Sequence, residues 1–83
     1  MGEVICIFRI TPENPEKFEA LGEELRELEP QRLEEEPIAF GLKAWKFTKI
    51  IPDEEGMISD LEEKLNSIPG VQSVETVQVS RSL

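Results

Sequence analysis

The amino-acid sequence predicts an α+β domain in which two amphipathic helices cover one face of a four-stranded antiparallel sheet. Three observations support this prediction. Segments rich in Val, Ile and Phe lie at both ends and in the middle of the chain, the segments between them carry apolar residues at helical spacing, and Pro or Gly stands at the boundaries. A chain of 83 residues can bury one modest core, so we expect a single domain over residues 1–83.

The first half of the chain is predicted to form a strand followed by a helix. Residues 2–10 are rich in Val, Ile and Phe, with Arg9 as the charge near their end, and we expect a strand largely buried on both sides. Asn14 and Pro15 suit a helix N-cap and the first helical position. Four apolar residues follow at spacings of three and four before Pro30 ends the helix: Phe18, Leu21, Leu25 and Leu28.

The middle of the chain contains a second β-prone region. Residues 31–36 are dominated by glutamate and could form a short edge strand or a loop. Residues 38–51 are β-prone over a length too great for a loop, so they predict a long strand. Its apolar side chains change face partway, which indicates either a β-bulge or two partly covered faces: Leu42 and Ala44 lie on one face, Trp45 and Phe47 on the other.

The last third of the chain repeats the pattern of helix and strand. After the turn at Gly56, apolar residues recur at helical spacing and Pro69 with Gly70 ends the helix: Met57, Leu61, Leu65 and Ile68. Valines from Val71 onward mark a final strand. The resulting order β-α-β-β-α-β, with helices on one face of an antiparallel sheet, is that of the ferredoxin-like sandwich.

The composition indicates which classes of partner and which cellular compartment to expect. Nine basic and eighteen acidic residues give a net charge of −9, which repels phosphate backbones, so we expect no direct binding to nucleic acid. Cys6 is the only cysteine, which excludes an intrachain disulfide and favours a reducing compartment. No apolar run approaches the roughly 20 residues of a membrane span, and the first residues lack the basic start of a signal peptide. We therefore expect a cytoplasmic protein without contact to membranes.

The side chains offer little for covalent chemistry. The chain has no histidine and no tyrosine, so the commonest general base is absent and we expect neither an enzyme nor a metal or other cofactor. Glu34, Glu35 and Glu36 form the densest acidic cluster, but neighbours in a strand point to opposite faces, and a solvated charge run explains them. Cys6 lies in an apolar run without nearby cations, as an inert core cysteine does.

A basic strip interrupts the acidic sequence. Residues 37–51 contain Lys43, Lys46 and Lys49 and no acid. These lysines are explained either by the solvent side of an edge strand, where lysine discourages aberrant pairing, or by a binding surface. The apolar segment just before the strip is more informative.

That segment, Glu-Glu-Pro-Ile-Ala-Phe-Gly-Leu over residues 35–42, closely resembles a segment of the archaeal elongation factor 1-beta family. The resemblance extends to the Met-Gly-Glu-Val start, the two helices and the final strand after Gly70, and the length agrees. Eukaryotic relatives have an aromatic-glycine pair where Phe40 and Gly41 stand, and a Val-Gln-Ser similar to residues 71–73. The resemblance thus covers nearly the whole chain.

The resemblance implies a guanine-nucleotide exchange factor that opens the nucleotide site of the GTPase elongation factor 1-alpha, so that GDP leaves and GTP enters. It implies Phe40 as an apolar anchor in the GTPase, Gly41 as a point of close backbone approach, and Pro37 and Ile38 as braces of the loop. Eukaryotic relatives carry a near-terminal lysine that intrudes on the magnesium site. Arg81 is the nearest cation here, and its planar guanidinium differs from an ammonium in shape and hydration.

Two other functions are also compatible with the sequence. One is a small regulatory or oligomerisation domain of the same fold that binds a metabolite or pairs with itself. The other is a small hydrolase on this fold, which needs a cationic phosphate cradle, whereas only Arg9 is basic in the first strand. The sequence does not determine the oligomeric state or further subunits.

Overall fold

In a computed structural model, which describes residues 2–82, four strands form one antiparallel sheet and two helices pack on one of its faces. The elements follow in chain order as β1 (Glu3–Pro12), α1 (Phe18–Arg26), β2 (Arg32–Pro37), β3 (Lys43–Pro52), α2 (Met57–Asn66) and β4 (Val71–Ser82). The strand order across the sheet is β2-β3-β1-β4, and every neighbouring pair is antiparallel. The predicted α+β, ferredoxin-like architecture is therefore confirmed.

Strand β1 lies in the interior of the sheet and has two different faces. Its even-numbered residues from Val4 to Ile10 are buried against the helices, whereas Ile5, Ile7 and Arg9 on the other face are only half-buried. The prediction of a strand largely buried on both sides therefore holds fully for the helix side and only in part for the second face. The physical reason is that both helices pack on one side, which leaves the other side of the sheet open.

The first helix begins as predicted and ends earlier. The Asn14 side chain accepts a hydrogen bond of 3.0 Å from the Glu16 amide, with Pro15 next to the cap, and a short 3-10 turn leads into α1. Helix α1 ends at Arg26, before Leu28 and Pro30. A proline disfavours helical geometry in the residue before it, and Glu29 has a left-handed backbone with φ of 54°.

Of the two alternatives for residues 31–36, the structure has the edge strand, β2. The long strand β3 begins at Lys43, so the prediction of a strand from residue 38 was wrong for residues 38–42, which form a loop. Ala44 and Trp45 are both buried although they lie on opposite faces. The pairing of β3 with both neighbours is continuous, so partial cover on both faces, not a bulge, explains the change of face.

The edges of the sheet are β2 and β4, and β3 is an interior strand. The edge-strand explanation for the lysines was therefore wrong. Lys43 donates to Glu35 Oε1 at 3.0 Å and Lys49 donates to the Glu29 carbonyl at 2.9 Å. Strand β4 has register shifts against β1 around Val77 and near its start. Such bulges disrupt the regular ladder that an exposed edge would offer to another strand.

A stacked aromatic pair ties α1 to β3 in the core. The rings of Phe18 and Trp45 lie nearly parallel at 6°, with centroids 4.3 Å apart. The indole Nε1 of Trp45 donates a 2.8 Å hydrogen bond to the Phe18 carbonyl, so the buried polar atom is satisfied. This contact fixes the start of α1 beside the beginning of β3.

Candidate functional site

Residues 37–42, which we call the Phe40 loop, comprise the last residue of β2 and the five residues that connect it to β3. Two backbone hydrogen bonds close it, from the Ile38 amide to the Leu42 carbonyl at 2.8 Å and from the Leu42 amide to the Ala39 carbonyl at 3.2 Å. Pro37, the last residue of β2, is paired with Lys43 at the start of β3. The loop is therefore a short, closed connection at one end of the sheet.

Phe40 has the most exposed large apolar side chain of the described residues. It is 98% exposed, and its backbone is left-handed with φ of 61° and ψ of 35°. This conformation costs an ordinary residue about 1–2 kcal/mol. Strain of this kind, at an exposed aromatic side chain that contributes nothing to the core, is typical of functional sites.

The neighbours of Phe40 in the loop have different environments. Gly41 also has a left-handed backbone, with φ of 75°, and apart from its own atoms and its two chain neighbours no heavy atom lies within 4 Å of the position that a Cβ would take. Its surroundings are thus open, which leaves the space that a partner's close approach requires. Ile38 is half-buried, so it contacts the body of the protein while Phe40 extends into solvent.

A pocket of about 150 Å³ adjoins the Phe40 loop. Ile38, Gly41 and Leu42 form one side of it, and the rest comes from the end of β1, the turn before α1, and the starts of α1, β3 and β4. No pattern in the sequence indicated this pocket or the position of Gln72 on β4 beside it. Only the strand order could have indicated it, because the residues that line it are far apart along the chain.

Arg81 lies at the opposite end of the sheet from the Phe40 loop. It is paired with Val4 at the beginning of β1, and its Nε lies 3.5 Å from Asp53 Oδ2 with 79% of the side chain exposed. Strand β3, whose ten residues span about 34 Å at the usual rise, separates the two ends. The structure therefore brings Pro37, Ile38, Phe40 and Gly41 together and leaves Arg81 apart from them.

The acidic run on β2 is paired with cations across the sheet. Arg9 Nε donates a hydrogen bond to the Glu36 carboxylate, and Arg9 Nη1 lies 3.4 Å from Glu75 Oε1. The hydrogen bond and the charge of Glu36 are the main causes that raise the pKa of Arg9. Glu35 accepts from Lys43. The prediction of a solvated charge run fits Glu34 and Glu35, which are exposed, whereas Glu36 is half-buried in its ion pair with Arg9. Lys43 lies on the neighbouring strand β3, whereas Arg9 lies on β1, so the Arg9–Glu36 ion pair reaches across β3.

The acidic side chains and the thiol of the described residues are not assembled into a metal site. Within residues 2–82, no group of three or more Cys, Asp or Glu side chains is arranged to hold a metal ion. Cys6 is completely buried, and burial, with a smaller contribution from Glu62, raises the pKa of its thiol. Neither helix in the described part of the chain is long and apolar enough to cross a membrane.

Comparison with known proteins gives a consistent result. Residues 5–81 match the model of the EF-1 guanine nucleotide exchange domain. Elongation factor 1-beta of Methanoregula boonei is 42% identical over an alignment that covers 96% of this chain and 98% of the relative. Elongation factor 1-beta of Methanothermobacter thermautotrophicus is 38% identical, with 98% of each chain covered. The resemblance inferred from residues 35–42 is thereby confirmed, and the chain belongs to the family of EF-1 guanine nucleotide exchange domains.

Proposed function

We propose that this protein promotes exchange of GDP for GTP on elongation factor 1-alpha during translation elongation, in the cytoplasm. It makes and breaks no covalent bond. It binds the GTPase in a conformation that holds nucleotide poorly, and its differential affinity for that conformation supplies the free energy that releases GDP. The proposal rests above all on the match of residues 5–81 to the exchange domain.

In this proposal Phe40 is the apolar anchor that inserts into the GTPase. Its 98% exposure means that burial at an interface desolvates nearly the whole ring, and a buried aromatic anchor typically contributes about 2 kcal/mol or more to binding. The hydrogen bonds that close the loop fix the anchor before binding, which reduces the entropy lost on association. Pro37 and Ile38 brace the loop, and Gly41 allows the GTPase to approach its backbone.

Arg81 is proposed as a second contact, at the other end of the sheet. The two contact regions are separated by most of the molecule's long dimension, which is 41 Å. The GTPase must therefore extend along the sheet to meet both. Arg81 is exposed enough to leave Asp53 and place its guanidinium near the charges that surround bound nucleotide, at little cost because exposed ion pairs are worth at most about 1 kcal/mol.

Reciprocal coupling provides the test of this function. If the protein weakens binding of GDP to the GTPase by some factor, GDP must weaken binding of the protein by the same factor. Calorimetry should give at least a tenfold higher dissociation constant for elongation factor 1-alpha saturated with GDP and Mg²⁺ than for the nucleotide-free GTPase. Equal affinity in the two states would contradict the exchange function, even if the two proteins bind tightly.

A further inference from the structure

We propose that the pocket beside the Phe40 loop receives one uncharged, apolar side chain of the GTPase, so that each partner contributes an anchor to the other. This inference rests on the proposed exchange function and adds a second apolar contact to the proposed interface with the GTPase. The pocket shares Ile38, Gly41 and Leu42 with the Phe40 loop, so a partner that buries Phe40 also covers the mouth of the pocket. Energetically important residues at interfaces tend to pair across them in this way.

The size and lining of the pocket suit a single apolar side chain. Its volume of about 150 Å³ is comparable to that of an apolar cavity that accommodates benzene. Five of the residues that line it are apolar or proline: Pro12, Pro15, Phe18, Ile38 and Leu42. Leu42 is 43% exposed and Phe18 is buried, and the Lys43 ammonium lies 4.7 Å from the centroid of the Phe18 ring, so the apolar lining adjoins one cation.

The pocket is preformed. Its walls are held by the 2.8 Å hydrogen bond from the Glu13 amide to the Gly70 carbonyl and by the Asn14 cap of the following turn. Phe18 is fixed by its stacking on Trp45. Phe40 lies in the same loop but does not line the pocket, because its ring extends into solvent and is 98% exposed. A partner's side chain can thus enter without a rearrangement of the protein.

The charges at the rim favour an uncharged occupant. The pocket is lined by two charged residues, and each has an opposite charge nearby in the same chain. Glu13 Oε1 lies 3.8 Å from Lys17 Nζ, and Lys43 Nζ lies 3.0 Å from Glu35 Oε1. With one acidic and one basic residue in its lining, the pocket has no net charge to offset the hydration that a charged side chain would lose on entry. A second copy of this protein is disfavoured as the source of the side chain, because both copies carry a net charge of −9.

Substitution of Gln72 with phenylalanine tests the pocket without altering the Phe40 loop. Gln72 is exposed and lines the pocket, so the ring of Gln72→Phe occupies the space that the partner's side chain needs. Ser73→Phe is the matched control, since Ser73 is the adjacent exposed residue outside the pocket. We expect Gln72→Phe to raise at least tenfold the protein concentration that gives half-maximal GDP release from elongation factor 1-alpha, and Ser73→Phe to leave it within about twofold.

A second pair of variants keeps the test valid if an introduced ring disturbs folding. Leu42→Glu places a carboxylate at the mouth of the pocket, where an entering apolar side chain would desolvate it. Val77→Glu is its control, because Val77 is 46% exposed, close to the 43% of Leu42, and lies away from the pocket. Thermal melting confirms that each variant is folded. We expect Leu42→Glu to raise at least tenfold the protein concentration that gives half-maximal GDP release, and Val77→Glu to leave this concentration nearly unchanged.

The outcomes separate this inference from the exchange function. Wild-type behaviour of both pocket variants, together with loss of exchange in Phe40→Ala, would overturn the pocket and leave the exchange function intact. Failure of the wild-type protein to release GDP would remove the exchange function and the pocket proposal with it. A homodimer in sedimentation that Gln72→Phe dissociates would show that the occupant comes from a second copy, which also contradicts the proposal.

Discussion

Gly22 in α1 lies directly against the indole ring of Trp45 in β3. A Cβ at Gly22 would overlap Cζ2 of the ring and lie 2.8 Å from Cε2. The ring cannot readily retreat, since it stacks on Phe18 and donates its Nε1 hydrogen bond to the Phe18 carbonyl. Glycine thus permits the close approach of helix and sheet at this point.

The contact predicts that Gly22→Ala destabilises the protein. Helix propensity alone favours alanine over glycine by about 1 kcal/mol, whereas overpacking of a core costs about 1–3 kcal/mol. We expect the overlap with Trp45 to dominate and urea denaturation to show a net loss of up to about 2 kcal/mol. Trp45→Phe should cost less in the Gly22→Ala background than in wild type, because the smaller ring relieves the overlap. A Gly22→Ala variant more stable than wild type would contradict this packing.

The buried thiol of Cys6 predicts a loss of stability at alkaline pH. Burial raises its pKa in the folded state above the ordinary 9.0. The unfolded chain then releases the thiol proton at lower pH than the folded protein, so stability is present below pH 9 and declines as pH rises above it. Free energies of unfolding between pH 8.5 and 10 should decline less steeply in Cys6→Ala, although its cavity lowers them overall. Parallel curves for the two proteins would assign the decline to other groups.

Phe40→Gly should affect stability and exchange differently. Glycine adopts the left-handed backbone at residue 40 without strain, and removal of a 98% exposed ring takes nothing from the core. Stability should be unchanged or higher by up to about 1 kcal/mol, while exchange efficiency falls at least tenfold because the anchor is gone. Melting temperature and GDP release measured on the same preparation give both values. A marked loss of stability would mean that the Phe40 ring packs against the protein.

Arg81→Ala should slow exchange without lowering the melting temperature. The side chain is 79% exposed, and an exposed ion pair with Asp53 contributes at most about 1 kcal/mol. Asp53→Asn is the control, since it removes the same ion pair and keeps the cation. If the guanidinium acts on the GTPase, only Arg81→Ala reduces the rate of GDP release. If the two substitutions slow GDP release equally, Arg81 acts only through its ion pair with Asp53, which would contradict a contact with the GTPase.

The regular elements of this fold were predictable because their side-chain patterns are local. The spacing of Phe18, Leu21 and Leu25 and the cap at Asn14 determine α1 without reference to the rest of the chain. Residues 38–42 were mistaken for strand because Ile, Phe and Leu favour β-structure, whereas the loop is set by left-handed backbone at Phe40 and Gly41. A phenylalanine in that conformation has no sequence pattern of its own.

The candidate site was predictable only in part. The resemblance in residues 35–42 indicated the loop, while nothing in the sequence placed Gln72 beside it or Arg81 at the far end. Both positions follow from the strand order β2-β3-β1-β4, which brings the start of β4 to the end of β1. Pairing between distant segments determines these relations, so local propensity cannot reveal them.

The most direct test of the account is the rate at which elongation factor 1-alpha releases a fluorescent GDP analogue into excess unlabelled GDP. The protein should accelerate release when present at a small fraction of the GTPase concentration, since each molecule acts repeatedly. Folded Phe40→Ala should show at least a tenfold lower efficiency under the same conditions. A release rate that does not change over a wide range of wild-type protein concentrations would contradict the exchange function, and undiminished exchange by Phe40→Ala would contradict the role of its ring.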